Sequence, residues 1–142
     1  MEEIIRQSSV CRLALSDGDM PYVVPLCFGY QDGNIYVHGS LKGKKIEILR
    51  KNQNVCFEFD INTKAVDAEK ACDWSMQYQS IIGFGKASFV TDLDEKQKAL
   101  DVIMGQYSNQ AFHFPENMIR STAVISIEIT SMTGKQSGFE DQ

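Results

Sequence analysis

The chain has 142 residues, of which 43% are hydrophobic and 23% charged, and its formal net charge is −5. This length and composition predict one compact domain over residues 1–142, large enough to bury its own core. The acidic balance argues against nucleic acid or an anionic membrane surface as a general partner.

The first residues, MEEIIRQSSVC, carry acids where a secretory signal carries basic residues, and no apolar run approaches the ~18 residues of a membrane span. We therefore expect a cytoplasmic protein. The four cysteines stand singly, without CxxC spacing or a nearby pair of histidines, so the pattern predicts neither a zinc site nor a redox couple. Reduced thiols used as small core residues are the expectation.

Turn residues divide the first half of the chain into strands. Residues 10–15 and 22–30 flank a Ser-Asp-Gly-Asp turn and predict a hairpin. Pro25 lies inside the second strand and cannot donate to a ladder, which indicates an edge, a bulge or backbone facing a ligand. Residues 35–38 and 55–59 alternate in hydrophobicity and predict two further strands.

The second half combines one long strand with the clearest helix. Residues 61–72 are polar without a period and predict a loop, whereas residues 74–91 alternate again. Gly83 and Gly85 within that strand indicate a bulge or a bend that curls a sheet into a barrel. An apolar stripe and an acidic start at Asp92 predict a helix over Leu93–Tyr107.

A short helix starting at Pro115 and a last strand over residues 123–130 complete the predicted elements. Local connections between six strands, with one long helix, predict a small, mainly antiparallel β-barrel with accessory helices.

Three lysines, Lys42, Lys44 and Lys45, lie within four residues at the predicted start of a helix. We expect Ser40 to cap this helix. Because a helix N-terminus presents unpaired N–H groups, neighbouring ammonium groups make it a site for a phosphate. Gly43 would let the backbone approach such an anion closely. A solvated basic surface and a plain turn glycine are the alternative interpretations.

The sequence contains no GxSxG, HExxH, GxxxxGK[ST] or GxGxxG motif, so esterase, zinc-protease, P-loop and Rossmann chemistry have no support. His38 and His113 are the two histidines. A lone histidine at a strand end is more often structural than catalytic, but His38 stands beside the predicted phosphate turn, which favours a functional role.

The run HGSLKGKKIEILRKNQNVCFEFD, preceded by PYVVPLCFGYQDGNIYV and followed by CDWSMQYQSIIGFGKASFV, resembles the FMN-binding split-barrel family related to pyridoxamine 5'-phosphate oxidase. Within that family it is most similar to the short, nitroimidazole-reductase-like proteins. The resemblance spans about residues 10–134. It implies a six-stranded antiparallel split β-barrel that forms a homodimer with two FMN molecules in the interface.

The resemblance also implies roles for individual residues. It places the FMN phosphate at the lysine turn, the isoalloxazine along one strand, and two further residues on the partner subunit's side. His38 is then the candidate substrate-facing catalytic donor. The implied cofactor-binding residues are Val23, Val24, Pro25, Leu26, His38, Gly39, Ser40, Lys42, Gly43, Lys44, Lys45, Gln79 and Ser80.

The favoured hypothesis is an FMN-dependent oxidoreductase that reduces a small oxidised or nitro-bearing compound, with a nicotinamide nucleotide or a partner reductase as electron donor. The chain is shorter than the vitamin B6 oxidases and lacks their basic C-terminal segment, so we do not expect pyridoxamine phosphate oxidation. The motifs do not distinguish FMN from a larger flavin or a deazaflavin.

Two other classes of function are open to a small barrel. A non-catalytic flavin- or haem-binding protein is the first, since His38 or His113 could ligate a haem. A barrel that binds single-stranded nucleic acid is the second, and the acidic charge makes it improbable.

Overall fold

A single antiparallel sheet of seven strands forms the body of the protein, in a computed structural model that describes residues 1–139. The strands are β1 (Cys11–Asp17), β2 (Met20–Leu26), β3 (Gly29–Gln31), β4 (Asn34–Ser40), β5 (Asn54–Val66), β6 (Ser75–Val90) and β7 (Thr122–Ser137). The helices are α1 (Glu2–Gln7), α2 (Lys44–Lys51), α3 (Leu93–Tyr107) and α4 (Glu116–Arg120), with a 3-10 turn at Ala71–Asp73.

The strand order, β2-β1-β5-β6-β7-β4-β3, places β2 and β3 at opposite edges of the sheet although they follow one another in the chain. The sheet must therefore curl until its two edges lie close enough for a short link to join them. The result is a split barrel with accessory helices, and the predicted mainly β, antiparallel fold is confirmed.

The predicted number of six strands is wrong because residues 22–30 form two strands instead of one. The chain leaves β2 after Leu26 and crosses to the opposite edge before β3 begins. At the crossing, the side chain of Phe28 is fully buried and its backbone N–H donates to the hydroxyl of Tyr107, 3.1 Å away. The continuous apolar run over residues 22–30 therefore gives no indication that the chain passes from one edge of the sheet to the other within it.

The predicted loop over residues 61–72 is also wrong in its first half, because β5 continues through Val66. Likewise β7 runs to Ser137, beyond the predicted end at residue 130. Residues 61–66, 75–80 and 135–137 pair as a three-stranded extension, which we call the arm. The side chains of the arm are exposed or half-buried and largely polar. The arm is therefore defined by the pairing of its three strands with one another and not by a buried apolar face.

The core lies inside the curled sheet, where alternate residues of each strand point inward. Phe28 and Phe59 pack with ring centroids 4.8 Å apart. Inward positions with exposed fractions of 5% or less are Leu13, Leu15, Ile35, Val37, Val55, Phe57, Phe59, Ile81, Ile125 and Ile127. A second, smaller cluster joins α3 to α4 and β7, through Leu100, Ile119 and Val124 among others.

The predicted helix over Leu93–Tyr107 is confirmed with both of its ends. Asp92 caps it, because its carboxylate accepts a hydrogen bond from the Glu95 N–H at 3.0 Å. The predicted irregularity at the glycines of β6 is confirmed too, since the β6–β7 register shifts between Phe84 and Gly85. A Cβ atom on Gly83 would overlap the ring of Phe57, so this inward position has no room for a side chain.

All four cysteines are free thiols, but the expectation that they serve as core residues holds for only part of the set. Cys11 is fully buried, and burial, followed by the nearby carboxylate of Glu58, raises the pKa of its thiol to about 12. Cys56 is half-buried, whereas Cys27 and Cys72 are exposed. Cys27 is exposed because it lies in the link between β2 and β3, outside the alternation of either strand.

Candidate functional site

The lysine turn connects the end of β4 at Ser40 to the start of α2 at Lys44. Gly43 is the N-cap residue and has a φ of 135°, in a region that side-chain-bearing residues rarely adopt. No side chain caps α2, so the N–H groups of its first turn have no side-chain partner. A helix end in this state is suited to bind an anion.

The predicted capping role of Ser40 is wrong. Its hydroxyl accepts a hydrogen bond from the Lys42 N–H at 3.1 Å and donates to the Lys42 carbonyl, so it is used inside the turn. The physical reason is distance along the chain, because α2 begins four positions after Ser40 instead of directly behind it. Ser40 therefore shapes the turn and leaves the helix end open.

The two lysines of the first turn of α2 lead to different strands. The ammonium of Lys44 lies 4.7 Å from the centroid of the Tyr22 ring, on β2. The side chain of Lys45 instead crosses β4 at Gly39. A Cβ atom added to Gly39 would lie 2.6 Å from the Nζ of Lys45. Lys45 is half-buried, and this burial lowers the pKa of its ammonium. The turn thus places one positive charge beside the edge strand and one across β4.

The strand β2, which carries four of the sequence-predicted flavin contacts, is an edge strand. Within residues 1–139 it pairs with β1 on one side and with no strand on the other, so the structure agrees with the edge position, one of the three interpretations of Pro25. Val23 and Pro25 are exposed on the outer side of the sheet, whereas Val24 and Leu26 are half-buried on the inner side. Backbone groups of β2 are consequently open near the lysine turn, because Tyr22 of the same strand contacts Lys44.

A cavity of about 200 Å³ opens between the end of β4 and the pair α3 and α4. Its lining consists of Leu100, Ile103 and Met104 from α3, Met118 and Ile119 from α4, together with Phe114, Thr122 and His38. His38 is the one titratable side chain of this lining. His38 is an exposed residue, so its imidazole borders the cavity and is not enclosed by it.

Partial burial, and then the positive charge of Lys45, lower the pKa of His38 below its usual value of 6.5. The imidazole is therefore neutral at pH 7, with one nitrogen that can donate and one that can accept a hydrogen bond. Lys45 links the two parts of the site, since its ammonium lies over Gly39, the residue after His38.

Gln79 and Ser80 do not join this site within one chain. They lie in the arm, where Gln79 accepts from Asn62 Nδ2 at 2.8 Å and donates to Gln136 Oε1 at 3.2 Å. In the sheet register, Gln79 is level with Gln136 near the end of β7, whereas Ser40 is level with Thr122 at its start. Ser40 and the pair Gln79 and Ser80 are therefore level with opposite ends of β7.

The structure adds residues that the sequence did not indicate. Tyr22 under Lys44 carries no sequence signal of its own. Three residues of the cavity wall do have a sequence signal, because the i, i+3, i+4 spacing of Leu100, Ile103 and Met104 predicts a buried helix face. In the structure all three of these side chains line the cavity.

One side of the sheet, which we call the outer face, exposes apolar side chains from several strands. Val23 of β2 is 62% exposed, and Ile82 and Phe84 of β6 are 49% and 56% exposed. Between them, Arg12 of β1 donates to Glu58 Oε1 of β5 at 3.1 Å. These residues are on one face because the register pairs Arg12 with Glu58 and Glu58 with Ile82.

Comparison with known proteins decides the family. A family model described as pyridoxamine 5'-phosphate oxidase matches residues 1–136. The chain belongs to this family. A crystal structure of a candidate 5-nitroimidazole antibiotic resistance protein from Bacteroides thetaiotaomicron is 37% identical, with a TM-score of 0.84, and the match covers 94% of this chain and 80% of that one. No match was found among the curated proteins.

More distant members of the same fold carry additional groups. The flavocytochrome Anf3 from Azotobacter vinelandii is 20% identical with a TM-score of 0.84, over 99% of this chain and 69% of that chain. An FAD- and haem-binding protein from Mycobacterium smegmatis is 17% identical with a TM-score of 0.87, over 99% and 72%. At these identities the likeness shows the split-barrel fold alone.

Two kinds of structure are absent from residues 1–139. No helix in this range combines the length and the hydrophobicity needed to cross a lipid bilayer. Within the same residues, no three or more His, Cys, Asp or Glu side chains are grouped so that they could hold a metal ion.

Proposed function

We propose that this protein binds FMN and uses it as an oxidoreductase on a small oxidised or nitro-bearing compound. The observation that carries the proposal is the start of α2, where an uncapped helix end and two lysines adjoin both an edge strand and a cavity containing His38. A phosphate dianion fits this helix end because unpaired N–H groups and ammonium groups meet there.

The residues around the turn fit a phosphorylated flavin. Gly43 and the N–H groups of Lys44 and Lys45 would receive the phosphate, with Lys42 and Ser40 beside them. Bound FMN would supply hydride and single-electron transfer, which no side chain of this chain provides. The chain's own contribution is to hold the ring along β2, from Val23 to Leu26, and to place a neutral imidazole at the edge of the cavity.

The cavity favours a small, uncharged substrate. Its wall is formed by aliphatic, thioether and aromatic side chains, and desolvating a charged group there would be costly. His38 would orient a polar group of the substrate by donating or accepting one hydrogen bond. Reduction of a nitro-bearing compound agrees with the 37% identical relative, which is described as a candidate 5-nitroimidazole resistance protein. A nicotinamide nucleotide or a partner reductase would donate the electrons.

We also propose a homodimer with the flavin in its interface. The outer face exposes Val23, Ile82 and Phe84, and a second copy would cover these side chains. A second copy would also bring Gln79 and Ser80 of its arm to the flavin, since within one chain these two residues are level with the end of β7 that lies away from the turn.

The direct test is the absorbance spectrum of the purified protein before and after FMN is added and the excess removed. Retained flavin that bleaches with a nicotinamide nucleotide and recovers on addition of a nitroaromatic compound is the expected result. Folded protein that retains no flavin would refute the proposal. Retained flavin that no donor reduces would leave a carrier, or an enzyme that needs a partner reductase.

A non-catalytic flavin- or haem-binding protein is the second candidate. One observation favours haem: His38 shares its cavity with Met104 and Met118, and histidine and methionine are ligands that haem iron accepts. Haemin titration distinguishes the two, since an intense absorption band near 400 nm that disappears in His38→Ala would support haem ligation. An unchanged band in that variant, or no band at all, would exclude this site.

A further inference from the structure

Lys96 of α3 is a buried cation in an apolar stripe. It precedes Leu100 by four positions and Ile103 by seven, so all three side chains share one face of the helix. Its exposed fraction is 8%, which is rare for lysine. A charged residue on the buried face of a helix breaks the local pattern, and such positions are often functional.

The ammonium of Lys96 binds the backbone at the end of α4. Nζ donates to the Ile119 carbonyl at 3.2 Å and to the Thr122 carbonyl at 2.8 Å. Among residues 1–139 no carboxylate forms an ion pair with it, so these two carbonyls supply its compensating negative charge. The position suits a cation, because carbonyl groups at a helix C-terminus carry partial negative charge.

Both acceptors belong to the cavity wall. Ile119 and Thr122 line the cavity that contains His38, and in the sheet Thr122 is level with Ser40 while His38 is level with Val124. Lys96 itself is not part of the lining. Lys96 therefore contacts the backbone of the cavity wall without lining the cavity, and it has no contact with the space that a substrate would occupy.

The helix that Lys96 holds has little stability of its own. α4 has five residues, far fewer than the ~12–15 that an isolated helix needs in water, and Ile119 is its one buried side chain. The segment before it, residues 108–115, has no helix or strand. Ser121 and Thr122 donate to the Met118 carbonyl at 3.1 and 2.7 Å, so the turn after α4 is closed locally. Its attachment to α3 depends on Lys96 and Ile119.

We propose that Lys96 is a positioning residue, which fixes α4 across the cavity and thereby holds Met118 and Ile119 opposite His38. The role in substrate binding rests on the proposed function, whereas the effect on His38 does not. With α4 in place, the cavity wall shields part of the imidazole of His38, although the residue as a whole is exposed. With α4 released, water enters the cavity and the shielding is lost.

The two histidines of the chain make this effect measurable by NMR titration of their ring protons, without cofactor or substrate. The charged group facing His38 from α2 is Lys45, and the cavity lining from α3, α4 and β7 contains no other charged side chain. In Lys96→Met the pKa of His38 should rise toward 6.5, because burial is the larger cause of its depression. The variant His113→Asn identifies the His38 resonance, because it leaves His38 as the one histidine of the chain.

Two control variants separate positioning from other causes. Lys98→Met removes a lysine from the same helix whose ammonium is exposed and pairs with Glu95 at 3.4 Å, and it should leave His38 unchanged. Ile119→Ala releases α4 while retaining the charge of Lys96, and it should raise the pKa of His38 as Lys96→Met does. A rise in Lys96→Met without a rise in Ile119→Ala would show that charge loss alone is responsible, and would overturn the proposal.

An unchanged His38 titration in folded Lys96→Met would also overturn it. If Lys96→Met does not fold, Lys96→Gln, whose amide can donate to one carbonyl, should give a smaller rise. Failure of both to fold, with Lys98→Met folded, would assign Lys96 to the fold as a whole and would likewise reject a positioning role.

Once an activity is established, KM and kcat provide a second measurement of the role of Lys96. Lys96→Met should raise KM for a small nitroaromatic about 10-fold and change kcat less than about twofold, because the residue acts on the binding wall and not on the reacting atoms. Lys96→Arg, which keeps the charge and the donors, should restore most of the loss. Equal losses of kcat in Lys96→Met and Lys98→Met would contradict this.

Discussion

Lys44 and Lys45 are neighbours in sequence, but their ammonium groups diverge, toward Tyr22 and toward Gly39 respectively. Neither lysine is within ion-pair distance of a carboxylate among residues 1–139. Their positive charge is thus available at the helix end for an anion. The sequence identified this cluster through residue type and spacing alone. It did not identify the role of Ser40, because capping depends on which residue begins the helix.

Replacing both Lys44 and Lys45 by alanine should weaken FMN binding far more than riboflavin binding. Each charge-assisted contact to phosphate contributes ~1.5–3 kcal/mol, or about 10- to 100-fold in Kd, and riboflavin has no phosphate. Fluorescence titration with the two ligands measures the difference. Lys51→Ala, in the last turn of α2, is the control and should affect neither ligand. Equal losses for FMN and riboflavin would show that the phosphate lies elsewhere.

His38 should make the stability of the protein depend on pH in a defined direction. Since its folded-state pKa lies below 6.5, the unfolded chain binds more protons between that value and 6.5. The free energy of unfolding contributed by His38 is therefore complete above pH 6.5 and decreases as the pH falls through this window. Urea unfolding between pH 5 and 8 should show this decrease in the wild type and a smaller one in His38→Asn. The variant His113→Asn measures the effect of losing an imidazole elsewhere in the chain, and identical curves for wild type and His38→Asn would refute the assignment.

At the scale of elements, α3 was predictable from sequence at both ends, whereas only residues 75–80 of the arm were. The signals for α3 are local: an aspartate at the N-cap and apolar residues at helical spacing. Residues 61–66 and 135–137 of the arm have no apolar alternation, and residues 61–66 become a strand only because β6 offers them a partner. Sequence patterns report which face is buried, so they miss strands that bury neither face.

The glycine at position 83 should be essential to the packing of β6 on β5. Gly83→Ala places a methyl group into the ring of Phe57, and overpacking of this kind typically costs ~1–3 kcal/mol in unfolding free energy. Gly105→Ala is the matched control, because a Cβ there meets nothing within 4 Å and should stabilise α3 by about 0.5–1 kcal/mol. Urea denaturation measures both.

The double variant Phe57→Leu with Gly83→Ala tests the cause of that loss. If the clash with the ring is responsible, the loss in the double variant should be smaller than the two single losses added together. Additive losses would mean that Gly83 is needed for another reason, such as the local backbone conformation beside the bulge.

At the scale of the whole molecule, the outer face should be an interface between two copies of the chain. Phe84→Glu places a charge beside Ile82 on this face, so analytical ultracentrifugation should show a shift from two chains to a single chain of 16.0 kDa. Phe112→Glu, at a position 38% exposed on the segment before α4, should remain associated. A wild-type protein that sediments as one chain, or a Phe84→Glu variant that still pairs, would contradict the homodimer.

The order of the strands also constrains when the chain can fold during its synthesis. The hairpins β1–β2 and β3–β4 form from neighbouring residues, but β4 has its remaining strand partner in β7, whose pairing residues begin at Thr122. While the ribosome is still adding these residues, β4 has an unpaired edge and the sheet lacks the strand that joins β6 to β4. The barrel therefore closes only after almost the whole described chain has emerged, and until then the nascent chain exposes apolar strands that chaperones would have to protect.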